Sequence, residues 1–232
     1  MTYAAKNLRL SDKSGDISKG SEIAEIVLYA IMKHHFNALP VVPKIFYKQN
    51  AQDNAKGADS VHIIIENDTD FSIWFGEAKF YNSIEDARIP EIITSAANSL
   101  LTGKLKKENS IVTNLPDIDS LIGDKTLRNS IKSALSPRES IDLIKPKLHI
   151  PILLLHECEI TQKQSAISDE YKNELIDYHK NRAESFFKKQ LNKIGGIPHY
   201  SQIKFHLILF PIPLKKTIVD KFVSMADFYK NS

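Results

Sequence analysis

A chain of 232 residues is long enough for one domain with a full core, and its 42% hydrophobic and 25% charged content is ordinary for a soluble globular protein. With 31 basic and 28 acidic residues the net charge is +3, too small an excess to establish nucleic-acid binding or to exclude it. A lone cysteine, Cys158, excludes an intrachain disulfide and fits a reducing cytoplasm; no apolar run reaches the roughly 18 residues that span a bilayer, and Met1 to Gly20 has no signal-peptide core.

Residues 1–20 are polar and read as an arm. Residues 21–36 are rich in helix formers and lack Pro and Gly, which predicts a helix from near Ser21 that ends before Asn37 and Pro40. Its middle is apolar nearly all round, the pattern of a centrally placed helix. A short strand is expected at Lys44 to Lys48. Two further strands are expected at 60–66 and 71–80, joined by the turn-forming Asn67-Asp68-Thr69-Asp70. Ile89, Ile92, Ile93, Ala96, Ala97 and Leu100 recur at helical spacing and predict a helix over about 84–101.

Residues 102–146 read as an irregular insertion, helical in part over 117–135, with a short strand candidate at Ile111 to Thr113. Ile150 to His156 predicts a compact apolar strand, 168–194 a charged surface helix ending at Gly195-Gly196, Ile203 to Phe210 a strand, and 215–229 a terminal helix. This order predicts an α/β fold, a mixed sheet flanked by helices, in a single domain over 21–232.

The chemistry concentrates at Gly76-Glu77-Ala78-Lys79. Side chains alternate along a strand, so Glu77 and Lys79 share one face at the end of the apolar run Phe71 to Phe75. Charge in such a place requires a partner or a metal. Asp59 precedes the neighbouring strand. If the turn closed a simple hairpin, Glu66 would face Phe71 and Asp59 would face Ala78, on the wrong face from Glu77; a slip or bulge near 57–60 is therefore expected. Asp59 and Glu77, with the Ala78 carbonyl, are candidate Mg²⁺ ligands, Mn²⁺ being a possible substitute, and Lys79 a candidate for orienting water or stabilising a phosphate. Glu22 and Glu25, three apart near a helix start, project from similar faces and are candidates to join the site; acidic residues also favour a helix N-terminus for its dipole alone.

The order Asp, then Glu-x-Lys, on adjacent strands resembles the metal-dependent PD-(D/E)xK nucleases, whose fold is restriction-endonuclease-like. More specifically, Ser21 to Ile26, Lys44 to Lys48, Gly57 to His62 and Trp74 to Tyr81 resemble the HamA family, the nuclease subunits of the Hachiman antiphage defence system. The likeness runs from about residue 18 to about 110, and Phe210-Pro211-Ile212-Pro213 resembles the family's C-terminal end. Ser21 departs from the expected Gly-Glu at the helix start, which leaves open whether Glu22 or Glu25 is the helix acid. The resemblance implies a cytoplasmic DNA nuclease in a heteromeric complex with a helicase partner, HamB, that restrains it until DNA damage or invading DNA engages the helicase.

Other residues carry weaker signals. His34 and His35 point to different sides of a helix, while His62, His149, His156 and His206 read as core histidines. Cys158 has no evident base, and no phosphate-binding loop is present. Lys104, Lys106, Lys107, Lys188, Lys189 and Lys193 suit either phosphate contacts or a solvated face. Two alternatives stand beside the nuclease: a catalytically silent subunit that binds a helicase or nucleic acid, and a restriction-type endonuclease, for which no DNA-reading module is visible.

Overall fold

The computed structural model describes residues 16–42, 58–99, 117–136 and 138–231. The strand candidates at 44–48 and 111–113, Lys104, Lys106 and Lys107 lie outside the described residues. Five strands form one mixed sheet in the order β1 (Leu39–Val42), β2 (Ser60–Ile65), β3 (Phe71–Tyr81), β4 (Leu148–Glu157) and β5 (Lys204–Ile212). The β1–β2 and β2–β3 pairs are antiparallel, and the β3–β4 and β4–β5 pairs are parallel.

Helices cover both faces. On one lie α1 (Asp16–His34) and α8 (Lys215–Asn231); on the other lie α2 (Ile89–Ser99), α3 (Asp117–Leu121), α4 (Lys125–Ala134), α5 (Ile141–Ile144) and α7 (Asp169–Ile194). A one-turn helix, α6 (Glu159–Gln162), follows β4. The mixed α/β architecture is the expected one.

Several boundaries differ from expectation. The first helix begins at Asp16, inside the stretch read as an arm, and ends where Asn37 adopts a left-handed φ of 51° that Asn tolerates. The helix ends at His34, before Asn37 and Pro40 as expected, and Pro40 lies inside β1, an edge strand where proline is accommodated. Leu148–Glu157 runs through Pro151, although β4 is central. The β3–β4 ladder skips the pairs opposite Ile150 and Pro151, at the residue with no N–H to give. The later part of the expected insertion is helical in part over 117–135, as expected, and Ile118, Ile122, Leu127, Ile131, Leu135 and Ile144 all enter the core.

Alternation explains the two cores. From β3, Phe71, Ile73 and Phe75 pack beneath α2 and α7 with Ile92, Ile93, Ala96 and Phe186. The intervening Trp74, Ala78 and Phe80 pack beneath α1 with Ala24, Leu28 and Met32. Burial on both faces makes β3 the axis of the domain, buried without interruption from Phe71 to Ala78.

Gly76 lies where α1 crosses β3. A Cβ there would collide with the Ser60 hydroxyl and come within 2.7 Å of Leu28 Cδ2. Gly76→Ala should therefore lift α1 and cost about 1–3 kcal/mol. Urea melts of the purified variant check this; wild-type stability would show that α1 is free to yield.

Candidate active site

The β2–β3 turn sets the geometry of the charged cluster. Asn67 Oδ1 accepts the Thr69 N–H at 2.9 Å and also the Thr69 hydroxyl, while the Glu66 N–H donates to the Asp70 carbonyl at 3.0 Å. Glu66 therefore faces Asp70 across a three-residue loop, not Phe71. The ladder continues through Ile65–Phe71 to Ser60–Gly76 without a shift. This register, set by the three-residue turn, carries Asp59 to the Glu77 side of the sheet, and an irregularity falls within 57–60 as expected. The chain does bend at Asp59, whose N–H donates to the Gly76 carbonyl at 2.8 Å, the residue that Ser60 already pairs with.

Asp59, Glu77 and Lys79 converge. Lys79 Nζ is 2.5 Å from Glu77 Oε1 and 3.9 Å from Asp59 Oδ2, so one ammonium bridges a β3 carboxylate and that of the residue just before β2. Asp59 Oδ2 also accepts the Ala78 N–H at 2.8 Å, on the stretch of β3 that runs past the first residue of β2. Glu77 is 4% exposed, whereas the Asp59 and Lys79 side chains reach solvent, which gives a cleft with a buried floor and an open rim.

Burial and the neighbouring Glu77 charge push Asp59 up to about 7. Lys79 and the Ala78 N–H oppose this, and the Glu25 charge adds to it. Burial pulls Lys79 down, but Asp59 and Glu77 outweigh it and hold the ammonium above the usual lysine value. Glu25 is thus a helix acid whose field reaches the site from α1. Glu22 lies one turn earlier with its Oε2 buried.

The two carboxylates, all-oxygen donors whose mutual repulsion a cation would relieve, suit a hard divalent cation. Among the described residues no group of three His, Cys, Asp or Glu side chains forms a metal cage. A bound ion would thus retain several waters, as Mg²⁺ does.

Sequence reasoning missed Ser95, whose hydroxyl donates to Glu77 Oε1. A serine on a helix face dominated by Ile92, Ile93 and Ala96 carries no signal of its own. The remaining candidates lie elsewhere. His149 pairs with His206 and His156 with His179, each at 3.0 Å, while His62 packs beside Tyr29. Cys158 is buried. Lys189 and Lys193 bind carbonyls of Asp86 and Pro90, tying α7 to the start of α2 rather than standing free for phosphate.

Fold and site together define a mixed α/β protein with an acid–acid–lysine cluster on its central strands. The HamA family model matches residues 1–226, and the chain belongs to the HamA family. That membership suggests a role in antiphage defence, in the setting of the Hachiman system. No curated protein and no solved structure matches the chain. No helix among the described residues is long and apolar enough to cross a membrane.

Proposed function

We propose that this chain is a metal-dependent DNA nuclease of the PD-(D/E)xK type, acting in an antiphage complex with a helicase partner that restrains it and delivers DNA. The observation that carries the reading is the single lysine ammonium shared by Glu77 on β3 and Asp59 just before β2. Asp59 and Glu77, with the Ala78 carbonyl, would hold Mg²⁺ or Mn²⁺, which when bound polarises a phosphodiester and acidifies a water.

The chain's own groups then have distinct tasks. Lys79 keeps its proton at neutral pH, because Asp59 and Glu77 hold it there. It therefore serves as a donor to a phosphate oxygen or to the attacking water, not as a base. Asp59, with a pKa of about 7, holds its proton near neutrality only while no cation faces it. Glu77 anchors the cluster from the buried floor, and Glu25 adds negative field from α1.

The partner reading rests on what the chain lacks and what it exposes. It has no phosphate-binding loop and only a small basic excess, so a motor protein is the natural source of DNA. On α7, Ile176 and Leu191 are 61% and 59% exposed, apolar surface suited to a protein contact. A second reading, a catalytically silent subunit that binds a helicase or nucleic acid, is favoured by the absence of a three-ligand metal cage among the described residues.

Plasmid cleavage, titrated with Mg²⁺ and with EDTA, separates the two readings. It is run on the chain alone and on the chain co-expressed with a candidate helicase partner. Cleavage is expected to need Mg²⁺, to vanish in EDTA, and to rise with ATP only in the co-purifying complex. A monomer that ignores that partner and cuts at full rate alone removes the restrained-partner part; no cleavage under any condition leaves the silent subunit.

A further inference from the structure

Glu77 Oε1 takes two donors of different origin. Lys79 Nζ comes from its own strand, at 2.5 Å, and the Ser95 hydroxyl comes from α2, packed across that face of the sheet. A carboxylate's terminal torsion is soft and broad. With Lys79 alone, Glu77 would turn to meet the ammonium as closely as possible and present its oxygens to the cleft less reproducibly. A second donor from a different element fixes the plane.

That second donor stands on a firm base. Lys193 of α7 binds both the Pro90 carbonyl and the hydroxyl of Thr94, the residue before Ser95. Arg182 of α7 grips Glu85 at 3.0 Å and Asp86 at 3.1 Å in the segment leading into α2. The neighbouring residues Ile92, Ile93 and Ala96 are apolar and buried, so packing of α2 on the sheet does not itself call for a hydroxyl at 95.

We infer that Ser95 is a positioning residue, which orients the Glu77 carboxylate to receive a divalent cation. This rests on the metal-dependent nuclease reading above. A hydroxyl that supports a ligating carboxylate contributes about 10-fold or more to metal affinity. A hydroxyl that merely fills space contributes to stability alone.

The test uses the full chain with Mn²⁺ as the probe, its binding followed by electron paramagnetic resonance, alongside thermal melts in EDTA and plasmid cleavage. Ser95→Ala is expected to weaken Mn²⁺ binding about 10-fold, with a smaller change in melting temperature. Ser95→Thr, which keeps the hydroxyl, is expected to restore most of the affinity. Should Ser95→Ala prove insoluble, Ser95→Cys, a poorer donor of similar shape, is expected to show the same loss. Wild-type Mn²⁺ affinity in Ser95→Ala or Ser95→Cys overturns the inference and leaves the nuclease reading intact. A wild-type chain that binds Mn²⁺ but never cuts DNA sinks the nuclease reading alone, and one that binds no Mn²⁺ sinks both.

Discussion

Lys79→Ala should lower DNA cleavage by on the order of 100-fold or more, the usual consequence of removing one preorganised charge stabiliser from a reacting centre. The expectation comes from geometry. The Lys79 ammonium lies between the Glu77 and Asp59 carboxylates, which hold it protonated and aimed into the cleft. Its side chain is 28% exposed but its partner Glu77 is buried, so removing the ammonium should cost some stability, while the apolar cores on both faces of β3 hold the fold. Lys79→Arg sharpens the test. It keeps the charge but replaces a compact ammonium with a planar fork, and should retain the stability while losing most of the cleavage. Circular dichroism and urea melts establish folding, and single-turnover plasmid cleavage supplies the rate. A well-folded Lys79→Ala protein that cuts at the wild-type rate would refute the role.

Asp59→Asn should do two opposite things: abolish cleavage and stabilise the metal-free protein at alkaline pH. The carboxyl of Asp59 ordinarily titrates near 3.8 but is pushed up to about 7 in the fold, first by burial and then by Glu77. Between those values the folded chain holds a proton that the unfolded chain has released. Wild-type stability should therefore fall as pH rises from about 4 through about 7, by at most a few kcal/mol. Asparagine cannot ionise, yet its carbonyl oxygen can still accept the Ala78 N–H that Asp59 takes at 2.8 Å. The variant should lose that slope, matching the wild type near pH 4 and exceeding it by a growing margin up to pH 8. Urea melts of both proteins in EDTA at the two pH values decide the matter. Equal destabilisation by Asn at both would mean that Asp59 is an ordinary structural hydrogen-bonding group. The combined outcome, gained stability and lost activity, is the signature of a residue kept for function at a cost to the fold.

Much of this site is legible in the sequence, because the informative rules are local. Period-two alternation alone puts Glu77 and Lys79 on one face of β3. The uninterrupted apolar run beside them requires a buried central strand, and β3 is buried from Phe71 to Ala78. The pairing of β2 with β3 differs by one residue from a simple hairpin, since the Asn67–Thr69 side-chain bonds close a three-residue loop that the tetrapeptide alone does not announce. One residue of register decides whether Asp59 meets Glu77 or turns its back on it.

The sequence by itself determined which residue types carry the charge, the order of the main helices and strands, and the likeness to HamA, because these depend on composition, spacing and near-neighbour periodicity. Only the tertiary structure decided the rest. Ser95 meets Glu77 because α2 folds back across the sheet and is pinned there by Lys193 and Arg182 from a helix far along the chain. Glu25 acts on Asp59 because Gly76 lets α1 approach β3 closely enough for that acid to be felt just before the start of β2. Such contacts join segments whose patterns do not refer to one another; what unites them is packing, and packing exists only once the chain has closed on itself.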